Sequence, residues 1–533
     1  MLVKILYRVL IALALLFTVI LAVLGLFVHM EVDFASMTEG LTNKLTSPAT
    51  TIPLALILTT INVIVTTLFY RNATNKKCRR FNISVLCATI ICIVLGVSWL
   101  MGNSYDPVGD QKHVWETASL ILQNRGKEVN LSYYKTYSQQ KIICLMMMLF
   151  IKIFQNNGLL AYRIFCLICA SLIIFFGGKQ AYHLSGREEA GTASAIMLVE
   201  FIPIVLYSTY VYGTLPSLCF TLLAFYAVTR LIQTQRLYWL VVELVAIPLM
   251  YAFYTATMIA MIAIIVVLIL YAVVSFQKRN SRVAIAALFG AVLPFFLVCG
   301  IRVAAGNIFC QYTGLNPNED TLPATAWIRM GLTSDSDLGP GGYDASNVGL
   351  FQDKGSDTEK TDAAARKEIH SALEDYRNGS RPMTFFWKKT ETQWLDPWFN
   401  GLTMTVYSPD PEKMGILAPL FVPLTLERIQ RCLLALMNVC YCMASLYLIL
   451  QIRNKKPRLE TLLLPLYFVG GFVFQLFWET KGRYCFPYYV CLLILAGIAT
   501  ASLEQFLVRR YEAMRDRKKL EEMASAQLSK KTK

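Results

Sequence analysis

Residues 256–276 read ATMIAMIAIIVVLILYAVVSF, without a single charge, and Gln277-Lys278-Arg279 follows at once. At about 1.5 Å per residue such a helix spans the roughly 30 Å hydrocarbon layer of a bilayer. A helix on the surface of a soluble protein would show a polar face every third or fourth residue, and this run has none. Comparable runs lie at 5–28, 52–70, 83–101, 160–178, 190–210, 213–233, 238–253, 283–304, 429–451, 460–478 and 484–506, with a shorter one at 141–155. Composition agrees: the 533-residue chain is 56% hydrophobic and only 16% charged, with a mean hydropathy of +0.48. That balance excludes a soluble enzyme, a disordered chain and a coiled coil. The expectation is an all-α polytopic membrane protein whose first partner is the lipid bilayer.

The net charge of +15 does not point to nucleic acid, because the basic residues collect in short loops, as the positive-inside rule requires. Arg71, Lys76, Lys77, Arg79 and Arg80 crowd the loop 71–80; Lys278, Arg279 and Arg282 the loop 277–282; Arg453, Lys455, Lys456 and Arg458 the loop 452–459. With the tail after 506, these are expected on the cytoplasmic side of the plasma membrane. Loop 30–51 sets Lys44 against Glu31, Asp33 and Glu39 and belongs outside. The first apolar run follows Lys4 and Arg8 and lacks a small-residue cleavage site, so it reads as a retained anchor. Both termini inside require an even number of crossings. The short run 141–155, bearing Lys141 and Lys152, is therefore expected to be interfacial or re-entrant, leaving about 12 spans within a range of 12–14.

The chain divides into two leading helices (1–82), a membrane module with an outer loop at 102–140 (83–304), a small extracytoplasmic domain (305–428), three closing spans (429–506) and a basic tail (507–533). Residues 305–412 hold 16 acidic and 9 basic residues, the reverse of the whole chain. The 14 cysteines lie mostly within apolar runs, which argues against a disulfide framework, and no CxxC pair is placed for zinc. No motif asks for a cofactor or a metal.

Chemistry can reside in three outer stretches. Ser104-Tyr105-Asp106-Pro107-Val108-Gly109-Asp110-Gln111-Lys112-His113 places Asp106 and Asp110 just past the third span. After Asp110, Val114, Ala118 and Ile121 share one face, as in a helix lying along the membrane surface. Asp110 can either cap that helix or serve as a general base. Trp478-Glu479-Thr480-Lys481-Gly482-Arg483-Tyr484 puts two cations at the outer end of an apolar helix. They can snorkel, with a Glu479–Arg483 pair, or bind an anionic headgroup. Tyr133 to Gln140 is aromatic and polar; Tyr137, Gln139 and Gln140 can form an interfacial belt or line a sugar site, with His113 nearby. Trp327-Ile328-Arg329-Met330-Gly331 and Trp394-Leu395-Asp396 can pack or contact an acceptor. Glu200 and Glu243 sit within apolar runs and keep a transporter reading open.

The order and sidedness of these motifs resemble those of the C-type (GT-C) polytopic glycosyltransferases, notably bacterial relatives of the protein O-mannosyltransferases and the lipid A aminoarabinose transferases. Asp110-Gln111 with Val114 and Ala118 is similar to that family's acidic motif and surface helix. Tyr137-Ser138-Gln139-Gln140 is similar to its Tyr-Pro motif, and Arg483-Tyr484 with Pro487 to its Arg-Tyr…Pro motif. Gln111 stands where an acidic residue is common in the family, and Ser138 where proline is. The resemblance implies an inverting transfer of a sugar from a polyprenyl-phosphate donor to a cell-envelope glycan, lipid or protein acceptor on the extracytoplasmic face. It implies Asp110 as base, with Asp106 competing for that role. Arg483 and Lys481 would bind the donor phosphate beside Tyr484 and Glu479, Glu479 orienting Arg483. Tyr137, Gln139, Gln140 and His113 would contact sugar or acceptor. Asp110 and Arg483 should then face one outer cavity, within about 10–15 Å of each other across a substrate-sized gap. The competing readings are a transporter or lipid-linked sugar flippase, and a polysaccharide polymerase or ligase.

Overall fold

A computed structural model describes residues 2–37, 39–70, 77–407 and 410–531, with backbone alone at 2, 77 and 518–531. Arg71 and Lys76 of the basic loop lie outside the described residues. Helix α1 (Leu2–Phe27) leads into a hairpin of β1 (Val28–Val32) and β2 (Leu41–Leu45), then α2 (Pro48–Tyr70) and α3 (Lys77–Gly102). Two short helices, α4 (Asp110–Leu122) and α5 (Leu131–Thr136), precede α6 (Gln140–Phe154), α7 (Gly158–Ser185), α8 (Glu188–Glu200), α9 (Pro203–Leu206), α10 (Thr214–Thr234), α11 (Tyr238–Phe253), α12 (Met258–Gln277) and α13 (Ser281–Thr313). The polar segment holds α14 (Ala324–Thr333), the two-residue strands β3 (Asp335–Ser336) and β4 (Gly339–Pro340), α15 (Ser346–Asp353), α16 (Thr358–Asn378), α17 (Thr384–Trp394) and α18 (Pro411–Met414). Helices α19 (Pro423–Arg453), α20 (Leu463–Phe477) and α21 (Gly482–Lys531) complete the order.

The chain is a helical, multi-span membrane protein. Among the described residues, ten helices are long and apolar enough to cross a bilayer, or eleven if the bent pair Glu188–Glu200 and Pro203–Thr209 makes one span. The twelve expected from the sequence differ at two places. Run 238–253 forms a 16-residue helix, about 24 Å long and short of the hydrocarbon thickness. Run 190–210 is broken by a 62° bend, which Pro203 at the first position of α9 accommodates. Helix α6, about 22 Å long, folds back on α7 through a tight turn at 155–157, so that Phe150 meets Tyr162 and Phe165 with ring centroids 5.0 and 5.2 Å apart.

The burial pattern is that of a protein dissolved in lipid. In α2 the buried residues are Thr51, Asn62, Thr66 and Tyr70, whereas Leu56, Ile57, Ile61, Ile64 and Leu68 are exposed. Lipid is as apolar as leucine, so apolar burial drives no association there; interhelical hydrogen bonds and close packing do. Asn62 donates to Glu200 at 3.1 Å, Tyr70 and Thr192 share a bond at 2.8 Å, and Thr67 donates to Glu504 at 3.2 Å. Small residues let α7, α8 and α21 approach closely: Gly178 and Gly191 face each other's carbonyls, and Gly497 lies against the Ser194 backbone. All 14 cysteines are free.

The polar segment docks on one end of this bundle. Its own small core is Leu322, Ala326, Trp327, Met330 and Phe351, reached from the bundle by Tyr137 and Trp478. Asp357 caps α16 by accepting from the Lys360 N–H at 2.9 Å. The cations Arg187, Arg230 and Arg458 gather at the opposite end, where Arg187 donates to the Ala501 carbonyl, Arg458 to that of Leu184, and Arg230 meets His183.

The contact at Gly497 yields a stability test. An added Cβ would fall on Ser194 backbone and side-chain atoms, so Gly497→Ala should cost about 1–3 kcal/mol. Gly300 on α13 has open space around it, and Gly300→Ala should be neutral or stabilising by up to about 1 kcal/mol. Thermal melts in one detergent would compare the two; equal midpoints would refute the packing account.

Candidate functional site

The site is built where the two motif segments meet. Gly109, at a φ of 56°, occupies the cap position of α4 and Asp110 is its first helical residue. Asp110 therefore does not cap the helix, contrary to the structural reading of the sequence. Its carboxylate turns sideways: Oδ2 lies 3.2 Å from the Arg483 guanidinium, and Oδ1 accepts the Tyr133 hydroxyl at 3.0 Å. The face Val114, Ala118 and Ile121 is buried, as the spacing predicts, and holds α4 in place.

Arg483 sits in the first turn of α21, its side chain only 11% exposed. Its N–H donates to Asn400 Oδ1 at 3.0 Å, and its guanidinium to the Tyr210 hydroxyl at 2.8 Å, to Met404 Sδ at 3.4 Å and to the Tyr484 hydroxyl at 3.4 Å. Tyr484 in turn donates to Glu479 at 3.0 Å. The expected Glu479–Arg483 pair is not formed; Glu479 pairs with Lys481 at 3.6 Å and reaches Arg483 only through Tyr484. Lys481 also meets Glu39 at 3.1 Å. Asp110 and Arg483 do face each other, within the expected distance but in direct contact rather than across a substrate-sized gap.

An aromatic row runs from this cluster to the polar segment. His113 stacks on Tyr133 at 4.6 Å, Tyr133 meets Tyr137 at 4.8 Å, Tyr137 meets Trp327 at 5.4 Å, and Trp327 stacks on Trp478 at 6.1 Å. Burial, reinforced by the Asp110 charge, pushes the Tyr133 hydroxyl far above its ordinary range, so it remains a donor. Burial likewise raises Tyr137. Gln140 is buried and donates to the Tyr212 hydroxyl. Two expected residues lie elsewhere: Gln139 is exposed on the turn before α6, and Asp106 is exposed with its charge acting on Arg163. Neither Glu200, bonded to Asn62, nor Glu243, buried beside Gly290 with both oxygens unbonded, joins the cluster.

Several members were not singled out from the sequence. Tyr210 and Tyr212 come from the irregular stretch after α9, where backbone can leave helical form because protein groups satisfy it: Gln111 accepts the Val211 N–H at 2.8 Å and Tyr162 donates to the Tyr212 carbonyl at 2.7 Å. Asn400 comes from a turn in which Phe399 and Asn400 have φ of 47° and 57°. Asp396, fully buried, builds that turn by accepting the N–H groups of Trp398 at 2.9 Å and Asn400 at 2.6 Å. Burial lifts its carboxyl to about 6 against those bonds. The Asn400-Gly401 pair, a common turn marker, was the available signal. Trp394 and Asp396 thus form part of the packing beneath the site.

Gln111 is held by bonds that require an amide. Its amide nitrogen donates to the Met404 carbonyl at 3.1 Å and the Tyr407 hydroxyl at 2.7 Å, while its oxygen accepts from Val211. A carboxylate could not make the two donor bonds. Below the 478–483 turn, buried Lys389 donates to the carbonyls of Gly331 and Trp478, and Thr480 bonds the Gly339–Gly342 turn through the Gly341 carbonyl at 2.9 Å. Among the described residues, no group of three or more His, Cys, Asp or Glu side chains is placed to hold a metal ion.

Two outcomes are expected. Gln111→Glu should cost about 1–3 kcal/mol by leaving the Met404 carbonyl facing a carboxylate, measured as a lowered thermal midpoint. Burial, opposed by the Glu479 charge, pushes the Lys389 ammonium down from 10.5 to about 7. Between those values the folded form is neutral while the unfolded form still holds the proton, so folding gains stability as pH rises through the window. The deficit of Lys389→Met should therefore widen from pH 7 to 9, by at most about 1.4 kcal/mol per unit. A deficit flat with pH would show that Lys389 stays charged.

No curated protein matches the chain in sequence. A match to a protein family does extend from the first helix through the Arg483 turn. With residues 1–503 matched, the chain belongs to the family described as conserved hypothetical integral membrane protein.

Proposed function

We propose that the protein is an inverting glycosyltransferase of the GT-C type. It moves a sugar from a polyprenyl-phosphate donor to a glycan, lipid or protein acceptor on the extracytoplasmic face of the plasma membrane. The observation that carries this reading is the Asp110–Arg483 contact, which joins an acid and a cation 373 residues apart inside a shell of tyrosines. The Tyr210 and Tyr484 hydroxyls accept from the guanidinium and the Tyr133 hydroxyl donates to Asp110, so each member of the pair keeps a polar neighbour when the other is exchanged for a ligand.

In this reading the donor phosphate takes Asp110's place on Arg483, which binds phosphate oxygens with its fork of donors. The freed Asp110 carboxylate, still held by Tyr133, accepts the proton of the acceptor hydroxyl or amine. The acceptor atom bonds to the anomeric carbon from the face opposite the phosphate, inverting it. The bond from that carbon to the phosphate oxygen breaks with its electron pair on oxygen, and polyprenyl phosphate leaves. Arg483 and Lys481 stabilise the charge growing there. The buried aromatic row from Tyr133 to Trp478 offers ring faces to a sugar. An even number of spans, with both termini cytoplasmic, completes this reading. A flippase or transporter is the second reading, and Glu243 favours it: a fully buried carboxyl without a bonding partner is costly in a membrane helix.

Purified protein in nanodiscs, given a panel of polyprenyl-phosphate sugars and an envelope extract, should release polyprenyl phosphate. Asp110→Asn should lower the rate about 10²–10⁴-fold and Arg483→Ala about 10²–10³-fold or more. Glu243→Gln should leave release unchanged. Release that survives Asp110→Asn would remove Asp110 as base and turn attention to Asp106. Sugar movement across the bilayer that Glu243→Gln abolishes, without any release, would establish the second reading.

A further inference from the structure

The hairpin between α1 and α2 reaches across the bundle into this site. Its strands pair from Val28↔Leu45 to Val32↔Leu41. The Met30 N–H donates to the Leu395 carbonyl at 3.0 Å, Asn43 donates to Glu391 at 2.7 Å, and Phe34 stands edge-on to Trp398 at 6.3 Å. Asp33 shapes the start of the connecting loop by accepting from the Ala35 N–H and the Ser36 hydroxyl at 2.9 and 2.7 Å, and Met37 is buried. The strands are thus pinned to the segment that builds the Asn400 turn. From the loop, Glu39 lays its carboxylate on Lys481.

Counted by ion pairs, this carboxylate is the second on Lys481. Lys481 and Arg483 are already balanced by Glu479 and Asp110. Glu39 adds a second carboxylate to an ammonium that has one, and its charge also acts on Arg483 and Tyr210. It is the more exposed partner, at 38% against 15% for Lys481 and 5% for Glu479. A buried cation needs one counter-ion for stability. A second, on the exposed side, lies where an arriving anion would meet the cation.

We infer that Glu39 is a specificity-determining residue of this site, an internal carboxylate that competes with a ligand's phosphate for Lys481. The inference rests on the anion-exchange reading of the cluster and adds to it an element that discriminates between phosphodiester and phosphomonoester. A sugar phosphodiester carries one negative charge, about that of a carboxylate; held by the donor fork of Arg483, it gains little more by exchanging with Glu39 on the point charge of Lys481. A phosphomonoester carries about 1.5 to 2 charges at pH 7 and displaces it. Glu39 yields Lys481 as the second charge develops on the leaving phosphate. It then weakens retention of the released isoprenyl phosphate by reclaiming the ammonium.

The test uses the full chain in nanodiscs, titrated with farnesyl monophosphate and, as the uncharged control, farnesol, with binding read by tryptophan fluorescence. Glu39→Gln should tighten farnesyl monophosphate about tenfold and leave farnesol unchanged. Glu39→Asp, with a shorter arm on the same loop, should tighten it less. Adding Lys481→Met to Glu39→Gln should abolish the gain. Unchanged or weaker phosphate binding by Glu39→Gln would overturn the inference, as would equal tightening of farnesol, which would mark a steric lid. If the wild type binds the phosphate and Arg483→Ala loses it while Glu39→Gln matches the wild type, only the role of Glu39 falls. Binding by none of the variants would overturn both the inference and the anion-site reading.

Discussion

A guanidinium at the mouth of a membrane bundle must have its charge answered, and the geometry around Arg483 follows from that requirement. Removing one partner of a shielded ion pair costs far more than the pair contributes, because the remaining charge is left without compensation. The answer here is distributed. Asp110 supplies the counter-charge, Tyr210 and Tyr484 the oxygens, and Asn400 the acceptor for the backbone N–H. Each comes from a different part of the chain, so the position of one side chain ties together α4, the broken segment after α9, the turn after α17 and the start of α21. The small polar segment contributes from below, through Lys389 and the glycine turn that fixes Thr480.

The membrane sets a second condition that explains the local irregularities. Backbone outside helices is tolerated at depth only where protein groups satisfy it. The Val211 N–H and Tyr212 carbonyl find Gln111 and Tyr162, and the turn at 396–400 finds the Asp396 carboxylate. These are the places where the chain departs from regular structure, and they are also the places that deliver side chains to Arg483. The departures are built by a buried amide, a buried carboxylate and a buried tyrosine, each hydrogen-bonded to the irregular backbone.

How much of this the sequence disclosed can be judged residue by residue. Long uncharged runs such as 256–276 are legible because one property, apolar length, decides them. Runs 190–210 and 238–253 were harder: a helix broken at Pro203 and one of sixteen residues look alike in composition to a full span. In the candidate site, Asp110, Lys481, Arg483, Glu479 and Tyr484 were visible because charge at the edge of an apolar run is conspicuous. Their mutual contact was not, since no local pattern encodes an approach across 373 residues. The Asp110 side chain could have capped its own helix; Gly109 at positive φ took that place. Tyr210 and Asn400 stayed hidden for a related reason. One hides in an aromatic stretch that reads as membrane filler, the other depends on backbone angles that neighbouring side chains impose.

Arg483 belongs to an unbroken helix, Gly482–Lys531. Fifty residues at about 1.5 Å each make a strut roughly 75 Å long. It is packed against the bundle over its first half, most closely about a third of the way along, where Gly497 meets Ser194. A strut held at such a fulcrum is a lever. A tilt of about 5° displaces each end, some 25–50 Å from the pivot, by roughly 2–4 Å in opposite directions. One element thus joins the Arg483 cluster to the basic extension on the opposite side of the bundle, and a tilt of the whole strut would move both together.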